Sequence, residues 1–447
     1  MTGHIVKYVI SISIVFLLAS PTMFGQVDSQ GNPDPFGTAS QPTINITQSQ
    51  TMGNAIGLET GYSAGYTDNV LALSSPRISD EIHSLLADLT LLHQGSQVSF
   101  LVEYIPYYAF YQNTSAYDQF DQVLSGDLKS MITSHVMLRL RDFYSNTTGS
   151  NPQAAGTASS SQSGLPTSPN TSVLTQLAAE QQNTVRGDLS WQPNGRSTFT
   201  ALGSYEQRSF SEQAVQALPL LNLSGVDGGG QYSWRSSERT TLGVLGLFQD
   251  IQLSGSIPVA SPQNMLSESI LPSWSWQATR ETTVQAYGGP QFLQFQEVPA
   301  VGQNGTPTTS QVTWAAGVSV TKQDDRNVLV LTGQRLASDG GGYLTFVAYS
   351  SLSASYHHHV AKGWDVYLTA SSGWDSGLGT SNPLGNLTSQ QGSFALTHPV
   401  VGKLMWNLQY IFSRQTASAA VLEQANFHRS YVTTGLLYQW NRLELRR

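Results

Sequence analysis

Four pairs of ionisable residues stand two apart in this chain: Asp127 and Lys129, Arg139 and Arg141, Arg186 and Asp188, Glu206 and Arg208. Residues two apart on a strand share a face. Pairs on successive strands become neighbours across the sheet. Glu59, Asp88 and Glu103 have the same parity relative to their apolar neighbours. On a lipid-facing surface each charge would cost up to about 2–4 kcal/mol, so the physical place for all of them is an enclosed aqueous lumen. There they would form either a charged constriction that biases which solutes pass or an ion-pair ladder that stiffens the wall. The two signs are too balanced to choose an anion or a cation.

Other chemistry is sparse. His357, His358 and His359 are consecutive, and on a strand they would alternate between faces and could not easily chelate one ion. A polar turn is the expectation there. His83, His93, His135, His398 and His428 are scattered, and no HExxH, Walker or GxSxG pattern occurs in a confirming context. The chain has no cysteine, which excludes thiolate metal sites, disulfides and a lipidated N-terminal Cys. No catalytic residue, metal or cofactor is therefore expected, and the protein reads as a non-enzyme. The net charge of −8 argues against a nucleic-acid partner.

The elements that position the charges must be strands. Charged residues make up 11% and hydrophobic residues 39%, a composition poor for a soluble domain and for a helical membrane protein. A barrel wall needs this mixture, because apolar outward and polar inward residues alternate. Strand-like runs fall at 57–66, 81–92, 97–111, 120–132, 135–145, 183–192, 197–210, 227–235 and 239–252. They continue at 266–277, 282–295, 311–322, 327–337, 343–356, 364–375, 391–399, 403–414 and 429–440. The fold class is all-β: a single transmembrane antiparallel up-and-down β-barrel of about 18 strands (16–18). Short connections follow every even strand, so periplasmic turns are short and extracellular loops long. Polar turns flanked by two strands recur from Leu189, Tyr232 and Trp274, a spacing of about two strands. Residues 146–182 are low-complexity Ser/Thr/Gly/Asn/Pro and read as a long extracellular loop with room for a short helix at 173–181.

Three further stretches bear on location. Residues 1–25 carry Lys7 and an apolar run at 8–19 too short to span a bilayer, the pattern of a secretory signal peptide. Residues 26–56 are polar and rich in Gly, Pro, Asn and Gln, a flexible periplasmic lead-in to the barrel at 57–447. Trp191, Trp234, Trp274, Trp276, Trp364, Trp406 and Trp440 sit near short turns or the terminus and share parity with apolar neighbours. That is the requirement for an aromatic girdle at the periplasmic lipid boundary.

The last strand, 429–440, places Thr433, Gly435, Tyr438 and Trp440 in an order that resembles the terminal sorting strand of bacterial outer-membrane barrels. That resemblance implies recognition by the barrel-assembly machinery. The chain continues past Trp440 as NRLELRR, where many barrels end on the aromatic. The stretch GYSAGYTDNV at 61–70, with the polar turn units at 196–198 and 237–240, resembles the type 2 family of β-barrel porins. Some of that family resemble barrels associated with exopolysaccharide loci. The resemblance implies a Gram-negative outer-membrane location with lipid and lipopolysaccharide as surroundings. The expected function is a porin-like channel for small polar solutes. An accessory barrel for exopolysaccharide export, with polysaccharide as a partner, and a non-transporting surface-display barrel are the alternatives.

Overall fold

The computed structural model describes residues 54–148, 173, 178–213, 220–255, 262–297, 308–360, 363–378, 385–418, 425–440 and 443–444. The signal-peptide stretch and most of the lead-in lie outside the described residues.

Eighteen long strands form one antiparallel sheet that closes on itself. They are β1 Ala55–Thr67, β2 Asp80–Gln94, β3 Val98–Tyr111, β4 Gln119–Met131, β5 Val136–Thr148 and β6 Ala178–Asn194. Then come β7 Ser197–Gln213, β8 Asn222–Arg235, β9 Thr240–Ser254, β10 Pro262–Gln277, β11 Thr282–Glu297 and β12 Thr308–Gln323. The wall finishes with β13 Asn327–Gly340, β14 Leu344–Val360, β15 Trp364–Gly377, β16 Asn386–Val401, β17 Leu404–Ala417 and β18 Phe427–Gln439. Each strand pairs with the next, and β1 pairs with both β2 and β18. The closing ladder runs from Thr67↔Tyr431 to Glu59↔Gln439. A two-residue strand, β19 Leu443–Glu444, prolongs it through Ile56↔Leu443 and Ala55↔Glu444. The tail past Trp440 therefore continues the seam. No helix among the described residues is long and apolar enough to cross a membrane.

Alternation decides the two faces. In β18, Phe427, Arg429, Tyr431, Thr433, Gly435 and Leu437 are buried inward, while Val432, Thr434, Leu436 and Tyr438 are exposed outward. Carried through the ladders, this parity puts Tyr62, Leu85, Leu124, Leu140, Phe248, Val312 and Leu352 on the outside, all widely exposed. A contiguous exposed apolar band around a closed sheet is the surface that lipid covers.

The strands run beyond their sequence-read limits, mainly at the long-loop end. β1 starts at Ala55, two residues before the expected boundary at 57. β5 reaches Thr148 and β6 begins at Ala178, so the loop expected at 146–182 is shorter at both ends. Residues 178–181 are strand and not helix, because Gln181 and Glu180 pair with Asn146 and Thr147 on one side and with Ser209 and Phe210 on the other. Polar composition read as loop there; neighbouring wall strands recruited it into the ladder.

The core lies inside the barrel, at the long-loop end. Two segments fold inward to make it. The first is 68–79, between β1 and β2. Val70, Leu71 and Leu73 are buried against Tyr107, Tyr111, Ile411 and Tyr431, inward residues of β3, β17 and β18. Asn69 fixes it by donating to the carbonyls of Leu73 (2.8 Å) and His428 (3.0 Å), and Ser430 N–H donates to Asp68 (2.7 Å). The motif at 61–70 thus ends in two polar anchors and an apolar peg.

The second segment is the loop end of the β13–β14 hairpin. Every residue from 336 to 349 is buried. Gly341 and Gly342 take positive φ values of 64° and 94° at its tip, a conformation that strains residues with a Cβ. A Cβ on Gly342 would lie 3.0 Å from the Phe210 ring of β7. The tip therefore reaches from β13 across the interior to β7.

Candidate functional site

The inward face differs between the two ends of the barrel. At the short-turn end it is lined by small and hydroxyl side chains. Ser190–Thr200 (3.0 Å), Thr369–Ser393 (2.5 Å) and Thr332–Ser353 are cross-strand hydroxyl pairs on that face, and Ser63–Ser84 (2.5 Å) is one closer to the long-loop end. At the loop end it is apolar: Met265, Leu293 and Phe295 project inward and are fully buried under the hairpin, and Leu245 and Leu271 continue this lining to mid-height.

The charges expected inward are all inward. Glu59 faces Asp88 across β1 and β2, and Glu103 follows on β3. Asp127 pairs with Arg139 through two bonds from Nε (2.9 and 3.2 Å) and one from Nη2 (2.6 Å), the forked geometry that Arg and carboxylate favour. Arg141 and Arg186 converge on one carboxylate, Asp188, with Arg186 Nε at 3.0 Å. Lys129 is exposed to the lumen and has no carboxylate within salt-bridge distance among the described residues. Arg208 leaves its own wall: its Nη2 donates to Asp339 Oδ2 on the hairpin at 2.7 Å, with both side chains almost completely covered. Glu180, Glu206 and Asp227 stand around this pair.

The structure thus splits the expected belt in two. On β4–β6, Lys129, Arg139, Arg141 and Arg186 outnumber Asp127 and Asp188, while β1–β3 at similar depth carry Glu59, Asp88 and Glu103. Towards the loop end, Arg208 is the single cation among Glu180, Glu206, Asp227 and Asp339. Glu180, Asp227 and Asp339 escaped the sequence reading. Glu180 lay in a stretch read as loop, Asp227 opened its strand, and Asp339 fell in the connection between 327–337 and 343–356. Most inward charges lie on β1–β8 and the hairpin tip; Asp365 and Asp375 of β15 and Arg429 of β18 are inward on the remaining wall.

The three histidines do not form a turn. They end β14, because ladders to β13 and β15 run through them. His357 and His359 both meet Asp365 inside (3.1 and 2.9 Å), while His358 bonds Asn327 on the other face (2.7 Å).

At the loop rim, Asp80 ties the 112–118 connection to β2. It accepts from Thr114 Oγ1 (2.6 Å), Thr114 N (2.8 Å) and Asn113 Nδ2 (2.8 Å). Burial alone would push this carboxyl upward; the bonds from Thr114, Asn113 and Glu81 outweigh it and hold it below the usual carboxylate range.

All seven named tryptophans lie on the outward parity near short turns, with Trp440 at the end of the closing strand. Trp364 stacks on His398 (4.1 Å) and meets Trp406 edge-on (6.0 Å). Trp406 Nε1 donates to Thr434 (2.9 Å), and Trp440 Nε1 to Thr60 of β1 (3.1 Å). Trp314 and Trp374, absent from the expected set, are outward at the loop end. Trp364 and Trp374 are ten residues apart on β15; at about 3.3 Å per residue and a tilt near 40° that spans roughly 25 Å, the height of an outer-membrane apolar band. Parity could have found this second ring. In the terminal strand, Thr433 and Gly435 are inward, and Tyr438 and Trp440 outward in edge contact (5.0 Å).

No protein-family model and no curated protein matches the chain. Among solved structures it is similar to Pseudomonas aeruginosa OccK2 (OpdF), at 13% identity and a TM-score of 0.42, covering 86% of this chain and 98% of that one. It is also similar to Acinetobacter baumannii OccAB1 (11%, 0.42, 86% and 97%) and to P. aeruginosa OprD (13%, 0.38, 88% and 96%). These comparisons lend no support to the exopolysaccharide association that the sequence resemblance implied. The barrel itself is established by its strand register.

Proposed function

We propose that the protein is an outer-membrane channel for small polar solutes, with its short-turn end in the periplasm and its lumen narrowed from the outside by the two inward segments. The observation that carries this reading is the inward face at the short-turn end. A wall of hydroxyls and small residues offers hydrogen bonds without obstructing volume, and its one charged side can orient a polar solute. A barrel of about 18 strands is wide enough for an aqueous lumen. The apolar exterior, the two outward tryptophan rings and the closed ladder suit a bilayer about 25 Å thick. The residues Thr433, Gly435, Tyr438 and Trp440 would then serve the assembly machinery as well as the seam.

The test is swelling of proteoliposomes holding the refolded barrel, with neutral sugars of graded size. The expected result is uptake with a low size cutoff, and a higher cutoff when residues 337–348 are replaced by a short Gly/Ser turn. A heat-modifiable, folded barrel that admits no sugar in either form would overturn the channel reading.

A further inference from the structure

An arginine stands on the lipid side of the wall. Arg335 of β13 has the parity of Leu331, which is widely exposed, while Val330 and Leu336 are buried inward. In the ladders it faces Ala316 of β12 and Ser350 of β14, and Ser350 faces Trp374 of β15. It therefore shares a cross-strand row with one tryptophan of the loop-end ring. Trp314, the other tryptophan of that ring, lies on its β12 side, with the guanidinium carbon 5.0 Å from the indole centroid. From β12 to β15 the outer face thus presents Trp314, Arg335, Ser350 and Trp374 side by side.

A lipid-facing arginine is costly at mid-bilayer and nearly free at the interface, so the level of the tryptophan ring is where it can stand. Its own charge is unmet there. Nη1 donates to Ser350 Oγ (2.9 Å), Nε is covered and has no acceptor, and no carboxylate lies within salt-bridge distance among the described residues. Residues 298–307 and 379–384, which flank β12 and β15 outside the described residues, contain no Asp or Glu. The local chain supplies no counter-charge.

The flanks narrow the chemistry of the anion. Trp314 and Trp374 are 56% and 44% exposed, so two broad ring systems stand beside one cation. A sugar ring that carries phosphate matches this set: its C–H face lies on an indole, and its phosphate takes the guanidinium fork. Another sector of the outer face has the opposite sign. Asp250 of β9 and Glu268 of β10 are outward in the loop-end halves of their strands, and a phosphate would be repelled there. The match is therefore local and not a belt around the barrel.

We infer that Trp314, Arg335 and Trp374 form a binding site for the phosphorylated glucosamine headgroup of lipopolysaccharide, seated in the outer leaflet against β12–β15. The inference rests on the orientation adopted in the channel reading, which puts the loop end outside, and not on transport.

The test mixes the refolded full chain in detergent micelles with diphosphoryl lipid A or with phosphatidylglycerol, and counts retained lipid by native mass spectrometry. The expected result is one lipid A per barrel, held more tightly than phosphatidylglycerol. Arg335→Gln should weaken lipid A roughly tenfold, the size of one hydrogen bond to a charged group. Trp374→Leu should weaken it by a smaller factor, and Glu268→Gln should leave it unchanged. Every variant is compared only with its heat-modifiable band intact; should Arg335→Gln lose that band, Arg335→Lys, which keeps the charge without the fork, replaces it with a smaller expected loss. Wild-type retention of lipid A by the Arg335 and Trp374 variants, or an equal loss in Glu268→Gln, overturns the site. Phosphatidylglycerol held as tightly as lipid A overturns the sugar-phosphate assignment. Lipid A bound as expected by a barrel that admits no sugar supports the site and sinks the channel reading instead.

Discussion

The barrel has two seams that could have been expected to behave alike or in the opposite order. β1 and β18 come from the two ends of the chain, and nothing local brings them together. Even so they pair from Thr67↔Tyr431 to Glu59↔Gln439, and β19 extends the ladder. β12 and β13 are adjacent and joined by a turn that Asp324 caps, accepting from Arg326 N (2.9 Å) and Asn327 N (2.8 Å). Their ladder nevertheless ends halfway. Loop closure makes the second pairing cheap and the first dear, but only by a slowly growing term. What each strand can bury decides the outcome. β18 offers β1 a continuous inward and outward pattern, with glycines where backbones approach. A Cβ on Gly435 would lie 2.6 Å from the Tyr62 carbonyl and 2.8 Å from Ser63 Cβ. β13 has an apolar alternative inside the barrel and takes it.

The largest expected effect comes from breaking the closing seam. Gly435→Val should lower the yield of heat-modifiable barrel by an order of magnitude or more, since β1 and β17 must both move away. Refolding into detergent micelles, where no assembly machinery acts, checks this. Normal yield there, with loss only in cells, would assign Gly435 to recognition and not to packing. Next is the tie between β7 and the β13–β14 hairpin in the lumen. Arg208→Met leaves Asp339 buried without its Arg208 cation and should cost about 3–5 kcal/mol in urea unfolding, whereas Arg208→Met/Asp339→Leu should recover most of it. Equal losses in both variants would show that the hairpin is held by its apolar contacts alone. A smaller effect is expected where β13 leaves the wall. Arg335 lies 5.0 Å over the Trp314 ring and bonds Ser350 (2.9 Å); Trp314→Ala should cost about 1 kcal/mol, and no change would mean the ring contributes nothing to the seam.

The smallest concerns the turn between β12 and β13. The N–H of Arg326, then the Asn327 side chain, holds the Asp324 carboxyl below its ordinary value. A lowered folded value means that the cap stabilises above the unfolded carboxylate value near 4 and loses this as pH falls through the folded one. The stability difference between the wild-type chain and Asp324→Ala should therefore shrink in acid. A difference constant down to low pH would remove the carboxylate from the account.

The candidate site was legible in part. Asp127 with Arg139, and Asp188 with Arg141 and Arg186, follow from parity and strand order, because cross-strand partners on one face are set by neighbouring ladders. Arg208 with Asp339 does not follow, since the partners are 131 residues apart and meet only because the hairpin crosses the lumen. The second tryptophan ring was legible and overlooked: Trp314 and Trp374 have the same parity as Val318 and Leu368.

By itself the sequence determined the all-β class, the strand count, the alternation of faces, the short turns after even strands and the outward place of the tryptophans. Each of these depends on a period of two residues or on turn chemistry, which is local. Tertiary structure alone decided that 68–79 and 336–349 fill one end of the lumen, that the β12–β13 ladder stops at Ala316↔Arg335, and that Arg208 meets Asp339. An apolar residue of given parity is equally compatible with lipid and with a packed interior. Only the competition between distant surfaces for the same side chains resolves which one it meets.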